Sequence, residues 1–159
     1  MATKLSHKNR IEKAHIAIMR NKDWVWLAPT CLIGTVHITD DIPTAATDGR
    51  DVLYSPTFLD KLNDAQVRAT VIHENMHKAF RHMRVYQYLN ERHKDNPHIV
   101  NMAMDFVINR HIKAATPFLE CWDGVIEYCH NDKYKDEAVW DTPRVLDDLL
   151  KNPPQGGQK

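Results

Sequence analysis

One segment in the middle of the chain restricts the possible folds more than any other. From Asn63 to about Glu91, apolar residues recur at helical spacing, with Asn63 as a good N-cap and Asp64 in the first turn. This pattern predicts a single long helix. In a chain of 159 residues, about the size of one ordinary domain, such a helix must lie at the centre of the fold.

His73, Glu74 and His77 lie within this predicted helix and form an HExxH sequence. Because successive helical residues are rotated by about 100°, the two histidines lie about 40° apart and one turn along the axis, so both imidazoles can converge on one ion, typically zinc. Glu74 lies on the same side, where it can act as general base toward a metal-activated water. Burying these three groups among apolar neighbours without a metal would be costly, so the pattern indicates a metal site rather than a chance match.

A catalytic zinc site needs a third protein ligand, and Asp105 is the candidate that the sequence favours. It lies in a second, mostly apolar helix predicted over residues 98–114. The polar residues one turn on either side of it are Asn101 and Asn109. A carboxylate in such surroundings needs a cation or several hydrogen bonds, and an antiparallel second helix would bring it opposite the two histidines. The alternative is a buried ion pair of Asp105 with Arg81 or Arg110.

Other histidines are weaker candidates for the third ligand. On a continuous helix His82 would point about 180° away from His73, and no glycine near it would allow the chain to turn back, so we do not expect it to be a ligand. His93 and His98 flank the connection between the two helices. Their neighbours are charged, which is typical of a solvated corner.

The remaining elements follow from periodicity, caps and turn signals. They are a helix over 7–22 capped by Ser6, strands over 35–39 and 51–54, a helical turn opened by Ser55-Pro56, a strand-like segment over 125–128 and a short helix over 142–150. The segment over 42–48 carries Pro43, and Asp48-Gly49 after it is a turn signal. We therefore predict an α+β fold, with a small sheet packed on the long helix and on an antiparallel second helix. Residues 1–152 should form one domain and 153–159 a disordered tail.

Composition excludes several classes of partner. Lysine plus arginine and aspartate plus glutamate both number 21, so no global charge favours nucleic acid or a membrane surface. The chain has three cysteines without a CxxC pattern, and its first residues contain no apolar leader. We therefore expect a soluble, cytoplasmic protein that binds neither membranes nor nucleic acid.

Several motifs between Thr44 and Ile112 occur together in one known family. They are Ala46-Thr-Asp-Gly-Arg50, Tyr54-Ser-Pro-Thr-Phe58, His73-Glu-Asn-Met-His77, His82 and Asn101-Met-Ala-Met-Asp105-Phe-Val-Ile-Asn109. This combination resembles a metallopeptidase domain of bacteria and phages that often precedes a von Willebrand A-like domain. The resemblance implies a zincin-like fold, zinc on His73 and His77, Glu74 as the catalytic residue and Asp105 as the third ligand. It implies no particular substrate.

The von Willebrand A-like domain has no counterpart in these 159 residues. If that domain recruits targets in longer relatives, we expect a separate protein to do so here. A form of this size would suit a phage gene, and the protein would then work in the host cytoplasm.

The expected function is zinc-dependent hydrolysis of peptide bonds in a protein or peptide substrate. The strand over 35–39 could bind an extended substrate through main-chain hydrogen bonds. Tyr128 is the candidate oxyanion stabiliser, with Tyr134, His111 and His130 as other possibilities. Two alternatives remain: a non-catalytic, zinc-stabilised binding module, and a SprT-like DNA-associated protease in which His93 would be the third ligand. The neutral net charge argues against DNA binding.

Overall fold

A computed structural model describes residues 3–154, without the side chains at positions 85 and 86, and shows a mixed α+β fold as predicted. In chain order its elements are α1 (His7–Arg20), α2 (Ala28–Cys31), β1 (Val36–Ile38), β2 (Ala45–Thr47), β3 (Val52–Tyr54), α3 (Pro56–Leu59), α4 (Asp64–Ala79), α5 (His82–Arg92), α6 (Pro97–Lys113) and α7 (Thr142–Lys151). Short 3₁₀ turns occupy Val25–Leu27 and Asp132–Tyr134. None of the described helices is long and apolar enough to span a membrane.

Side-chain caps at Ser6 and Asn63 confirm two of the predicted helix starts. The hydroxyl of Ser6 accepts the N–H of Asn9 at 3.1 Å, which fixes the start of α1. At the start of α4, the side chains of Asn63 and Gln66 each accept the other residue's main-chain N–H, a reciprocal capping box. These caps satisfy donors that the first helical turn leaves unpaired, so they set the boundaries from local sequence alone.

The small sheet contains one strand that the sequence did not predict. Its order is β1-β3-β2, with β1 parallel and β2 antiparallel to β3. The predicted strands over 35–39 and 51–54 are confirmed as β1 and β3. β2 lies between Pro43 and the Asp48-Gly49 turn, and its sequence Ala-Ala-Thr is neither strongly apolar nor alternating. Main-chain pairing with β3 forms it, so side-chain pattern gave no signal.

The prediction of one continuous helix from Asn63 to Glu91 is wrong. α4 ends at Ala79 and α5 begins at His82, because Arg81 adopts the left-handed conformation with φ 53° and ψ 38°. That conformation is rare for residues other than glycine, asparagine and aspartate. The change of direction turns α5 away from the axis of α4 and alters where His82 lies.

The packed interior has two apolar clusters. The larger joins α1, the sheet, α3 and α4 and includes Ile18, Tyr54 and Ile72. The smaller joins α6 and α7 around Met104 and Val145. Ile108 and Ile112 of α6 belong to the first cluster while Met104 and Val107 belong to the second, so α6 connects the two.

The segment between α6 and α7 differs from the prediction. Residues 125–128 form no strand; the main-chain N–H groups of Val125 and Ile126 both bond to the carbonyl of Trp122 in a turn. Their apolar side chains pack on the larger core instead of marking a paired strand. Of the predicted tail, Pro153 and Pro154 are exposed without regular structure, and residues 155–159 lie outside the described residues.

Candidate active site

Three side-chain donors from two helices meet at one point. Nε2 of His73 and Nε2 of His77, both on α4, lie 3.1 Å apart. Oδ1 of Asp105 on α6 lies 3.3 Å from the first nitrogen and 3.2 Å from the second. Asp105 thus pairs with the two histidines and not with Arg81 or Arg110, and these three residues form a group able to hold a metal ion.

The size of this triangle fits zinc. Zinc bound tetrahedrally to nitrogen and oxygen at about 2.0–2.1 Å places neighbouring donors about 3.3–3.4 Å apart. The observed separations of 3.1, 3.3 and 3.2 Å are close to that value. Two imidazoles and one carboxylate are also a donor set that zinc accepts readily, although other first-row metals bind it too.

Asn109 fixes the orientation of His73. The Nδ2 group of Asn109 donates to the carbonyl of Cys129 at 2.9 Å, so its Oδ1 is the atom that faces Nδ1 of His73, at 2.8 Å. An amide oxygen can only accept, and Nδ1 of His73 must therefore carry the proton. In its neutral form His73 then presents the lone pair of Nε2 toward His77 and Asp105, as a metal ligand must.

His82 lies behind His77, on the side away from Asp105. Its Nδ1 is 3.0 Å from Nδ1 of His77, and the residue is only 3% exposed. Burial first, and then the charge of His77, lower the pKa of His82 to about 4. His82 is therefore neutral near pH 7 and is not one of the three converging donors, although the break at Arg81 brings it much closer than a continuous helix would allow.

The charges of the donor group are strongly coupled in the metal-free protein. Burial opposes the charged form of His73, but its hydrogen bond with Asp105 and the charge of that carboxylate outweigh burial and raise the pKa of His73 to about 9. For Asp105, burial favours the neutral acid, yet the contacts with His73 and His77 hold the pKa of this carboxyl well below its usual range. Metal-free, the site holds a proton between these groups.

Glu74 lies beside the donors on the wall of a cavity of about 500 Å³, which His73 and Asp105 also line. It is 6% exposed, and its carboxylate makes no hydrogen bond or ion pair within the part of the chain that the structure describes. Burial raises the pKa of Glu74, opposed by the charges of His73 and His77. A carboxylate with these properties is a stronger base than an exposed one and has room for a small molecule in front of it.

A family model described as a "putative metallopeptidase domain" matches residues 6–158 of this sequence, nearly the whole chain. The chain belongs to this family. No curated protein and no solved structure matches it. The family supports a peptidase role and a metal cofactor, and the group of His73, His77 and Asp105 is the candidate site for that metal.

Two other histidines that the sequence offered as possible third ligands, His93 and His98, lie outside the donor group. His98 is on the rim of the cavity, and His93 does not line it. Of the oxyanion candidates, Tyr128 lines the cavity, but its hydroxyl donates to Asp123 at 2.7 Å. Tyr134, His111 and His130 do not line this cavity, so the structure does not bring them to the site.

Three contacts that residues make with the donor group were missed at the level of sequence. The contact of Asn109 with His73 was missed because the sequence showed Asn109 only as one of several polar residues on the second helix. The contact of His82 with His77 was missed because a straight helix would have kept the two apart. Trp122 packs its ring edge-on against His73, with ring centres 5.8 Å apart, and its Nε1 donates to Thr70 at 2.9 Å. A tryptophan anchored in this way restricts the imidazole of His73 from the side. The irregular segment before Tyr128 carried no pattern that could have indicated the contact.

Proposed function

We propose that the protein is a zinc-dependent peptidase in which His73, His77 and Asp105 hold the metal and Glu74 is the general base. The observation that carries the proposal is the triangle of donor atoms, 3.1–3.3 Å on each side. It lies at the wall of a cavity that Glu74 also lines. Its substrates would be proteins or peptides.

When bound, zinc would act as a Lewis acid that makes water more acidic and polarises the carbonyl of the scissile bond. Glu74 would accept the proton that the attacking water loses, and would then deliver it to the leaving amine. The burial that raises the pKa of Glu74 supports both steps, because a base that is too weak holds the proton poorly and one that is too strong does not release it. Asn109 would keep the imidazole of His73 aligned meanwhile.

The strand beside the cavity is β2, and we propose it as the substrate-binding edge in place of the strand over 35–39. Thr44 and Ala45 line the cavity, whereas β1 lies at the opposite edge of the sheet. Thr44 and Asp48 form main-chain hydrogen bonds toward the β3 side, with Ser55 and Asp51. Because bonded and non-bonded residues alternate in an antiparallel pair, the main-chain groups of Ala45 and Thr47 point to the outer edge of β2. An extended peptide could pair there.

Tyr128 is the residue we propose as oxyanion stabiliser. Its hydroxyl would have to leave Asp123 and donate instead to the oxygen on which charge develops. This exchange of acceptors would occur as the substrate enters the cavity.

The cysteines bear on where the protein works. Cys31, Cys121 and Cys129 are free thiols, compatible with the cytoplasmic setting that we propose. We further propose that a separate protein recruits the substrate.

Cleavage of a mixture of short, unstructured peptides by the zinc-loaded protein, read by mass spectrometry, tests the proposal. Glu74→Gln should lower the cleavage rate by about 10²–10⁴-fold, since the amide cannot accept the proton, while zinc content stays the same. Glu12→Gln, which changes an exposed glutamate on α1, is the matched control and should cleave like the wild type.

Two results would count against parts of this proposal. Unchanged cleavage by Glu74→Gln would exclude that residue as the base. A zinc-loaded wild type that cleaves no peptide would favour the non-catalytic binding module. The DNA-associated alternative loses its main support, because it assigned the third ligand position to His93 and the donor group contains Asp105 instead.

A further inference from the structure

A buried histidine outside the donor group contacts one of its members from behind. His82 approaches His77 with Nδ1 facing Nδ1 at 3.0 Å, and the two rings are inclined by 69°. Both residues are almost fully buried, at 3% and 6% exposure. A contact between two like nitrogens at this distance is a hydrogen bond only if one carries a proton and the other does not.

The metal ligation proposed above decides which nitrogen carries the proton. Nε2 of His77 faces Nε2 of His73 and Oδ1 of Asp105, so it must offer its lone pair there. A neutral imidazole with a free Nε2 is protonated on Nδ1. Nδ1 of His82 is then the acceptor, and His82 carries its own proton on Nε2.

We propose that His82 is a positioning residue for His77: by accepting the Nδ1 proton it fixes the tautomer and the ring orientation that direct Nε2 of His77 at the metal. Of the proposed function, the inference needs only the metal site and not peptide hydrolysis. It makes His82 the counterpart of Asn109, whose amide oxygen accepts the Nδ1 proton of His73. Each histidine ligand would thus have its own acceptor, one on α6 and one on α5.

The break between α4 and α5 is what makes this contact possible. Residues five apart on a straight helix lie about 140° apart around the axis, so the two imidazoles could not meet. Arg81 adopts a left-handed conformation that is unfavourable for arginine, and the chain turns back so that His82 lies against His77. Phe80, at the end of α4, covers the ring of His82 with its centre 5.5 Å away. An unfavourable backbone conformation that produces one polar contact beside a metal site indicates that the contact has a role.

Zinc affinity of three variants tests the inference, measured by competition with a chromophoric chelator. His82→Leu keeps much of the side-chain volume and removes the acceptor, and we expect it to weaken zinc binding about 10–100-fold. His82→Asn places an amide oxygen near the former Nδ1 and should recover most of that loss. His15→Leu, at a half-buried histidine of α1, is the matched control and should bind zinc like the wild type.

A second readout separates positioning from packing. The visible absorption spectrum of the Co²⁺-substituted protein reports the geometry around the ion, and it should change in His82→Leu and return toward the wild type in His82→Asn. Wild-type zinc affinity and an unaltered Co²⁺ spectrum in His82→Leu would overturn the inference. Equal weakening in His82→Leu and His82→Asn, with both metal-free proteins folded, would overturn it as well.

If His82→Leu does not fold, the zinc affinities of His82→Asn and His82→Gln are compared instead. The glutamine oxygen lies one bond further out, so only asparagine should restore affinity, and equal affinities would overturn the inference. These measurements use no peptide substrate. Weakened zinc binding in a protein that cleaves nothing would therefore support the role of His82 and count only against the peptidase proposal.

Discussion

At the scale of single residues, the donor group shows how polar side chains can stay buried before a metal binds. Asp105 lies within 3.3 Å of both imidazoles, and these contacts offset the cost of removing the polar groups from water. The hydrogen-bond partners of the histidines leave both Nε2 atoms directed at the same point. In the proposed metal site the donors are therefore arranged in advance, and an incoming metal would displace a proton without reorganising the side chains.

That proton makes metal binding depend on pH. The pKa of His73 is raised to about 9 in the metal-free protein, and a metal binds only the neutral imidazole. Below pH 9 protons compete with the metal, so we expect zinc affinity to rise about tenfold per pH unit from pH 7 toward 9 and to level off there. Competition with a chelator between pH 7 and 9 measures this dependence of zinc affinity on pH.

The stability of the metal-free protein should change in the opposite direction. The pKa of His73 is higher in the folded protein, at about 9, than in the unfolded chain, at 6.5. Protonation of His73 therefore stabilises the fold fully below pH 6.5, and this stabilisation is lost as the pH rises through about 9. Urea unfolding of metal-free protein at pH 6 and 9 checks the sign. A zinc affinity that stays flat over the same range would show that His73 is already neutral.

At the scale of elements, α5 lies close to the turn between β2 and β3. Gly49, in the turn between β2 and β3, has a positive φ of 96°, and a Cβ built there would lie 3.0 Å from Cγ of Met83 in α5. Gly124 also has a positive φ, of 77°, but nothing lies within 4 Å of a Cβ at that position. The two glycines thus share the backbone requirement and differ in the contact.

Replacing each glycine by alanine separates these effects. Gly124→Ala should lower the free energy of unfolding by about 1–2 kcal/mol through backbone strain alone. Gly49→Ala should cost about 1–3 kcal/mol more, because the methyl group pushes against Met83. Urea denaturation of both metal-free variants measures the difference. Equal losses would mean that the side chain of Met83 moves aside without a measurable cost.

The break between α4 and α5 also marks where local sequence stopped being informative. The caps at Ser6 and Asn63 and the apolar periods of α1, α6 and α7 were readable, since each depends on neighbours within one or two turns. A left-handed arginine carries no such signal, and neither does β2, which exists through pairing with β3. In both cases contacts between distant segments outweigh local preference.

At the scale of the whole molecule, the candidate site lies where two parts of the structure meet. His73 and His77 are on α4 of the larger core, and Asp105 is on α6, which also belongs to the smaller core with α7. His73 contacts Asn109 while His77 contacts Asp105, so α4 and α6 run in opposite directions there, as predicted. The spacing of the HExxH sequence and a carboxylate in an apolar helix favoured these three residues, and the fold brings them together. The partners of the histidines required the assembled fold.

Metal content tests the central claim most directly. We would measure zinc in the purified wild type and in His73→Ala, Asp105→Ala and Glu74→Gln after dialysis against zinc-free buffer. We expect about one zinc per chain in the wild type and in Glu74→Gln, and little or none in the two ligand variants. A wild type that binds no zinc even after zinc is added back, or ligand variants that keep it fully, would contradict the assignment of this site.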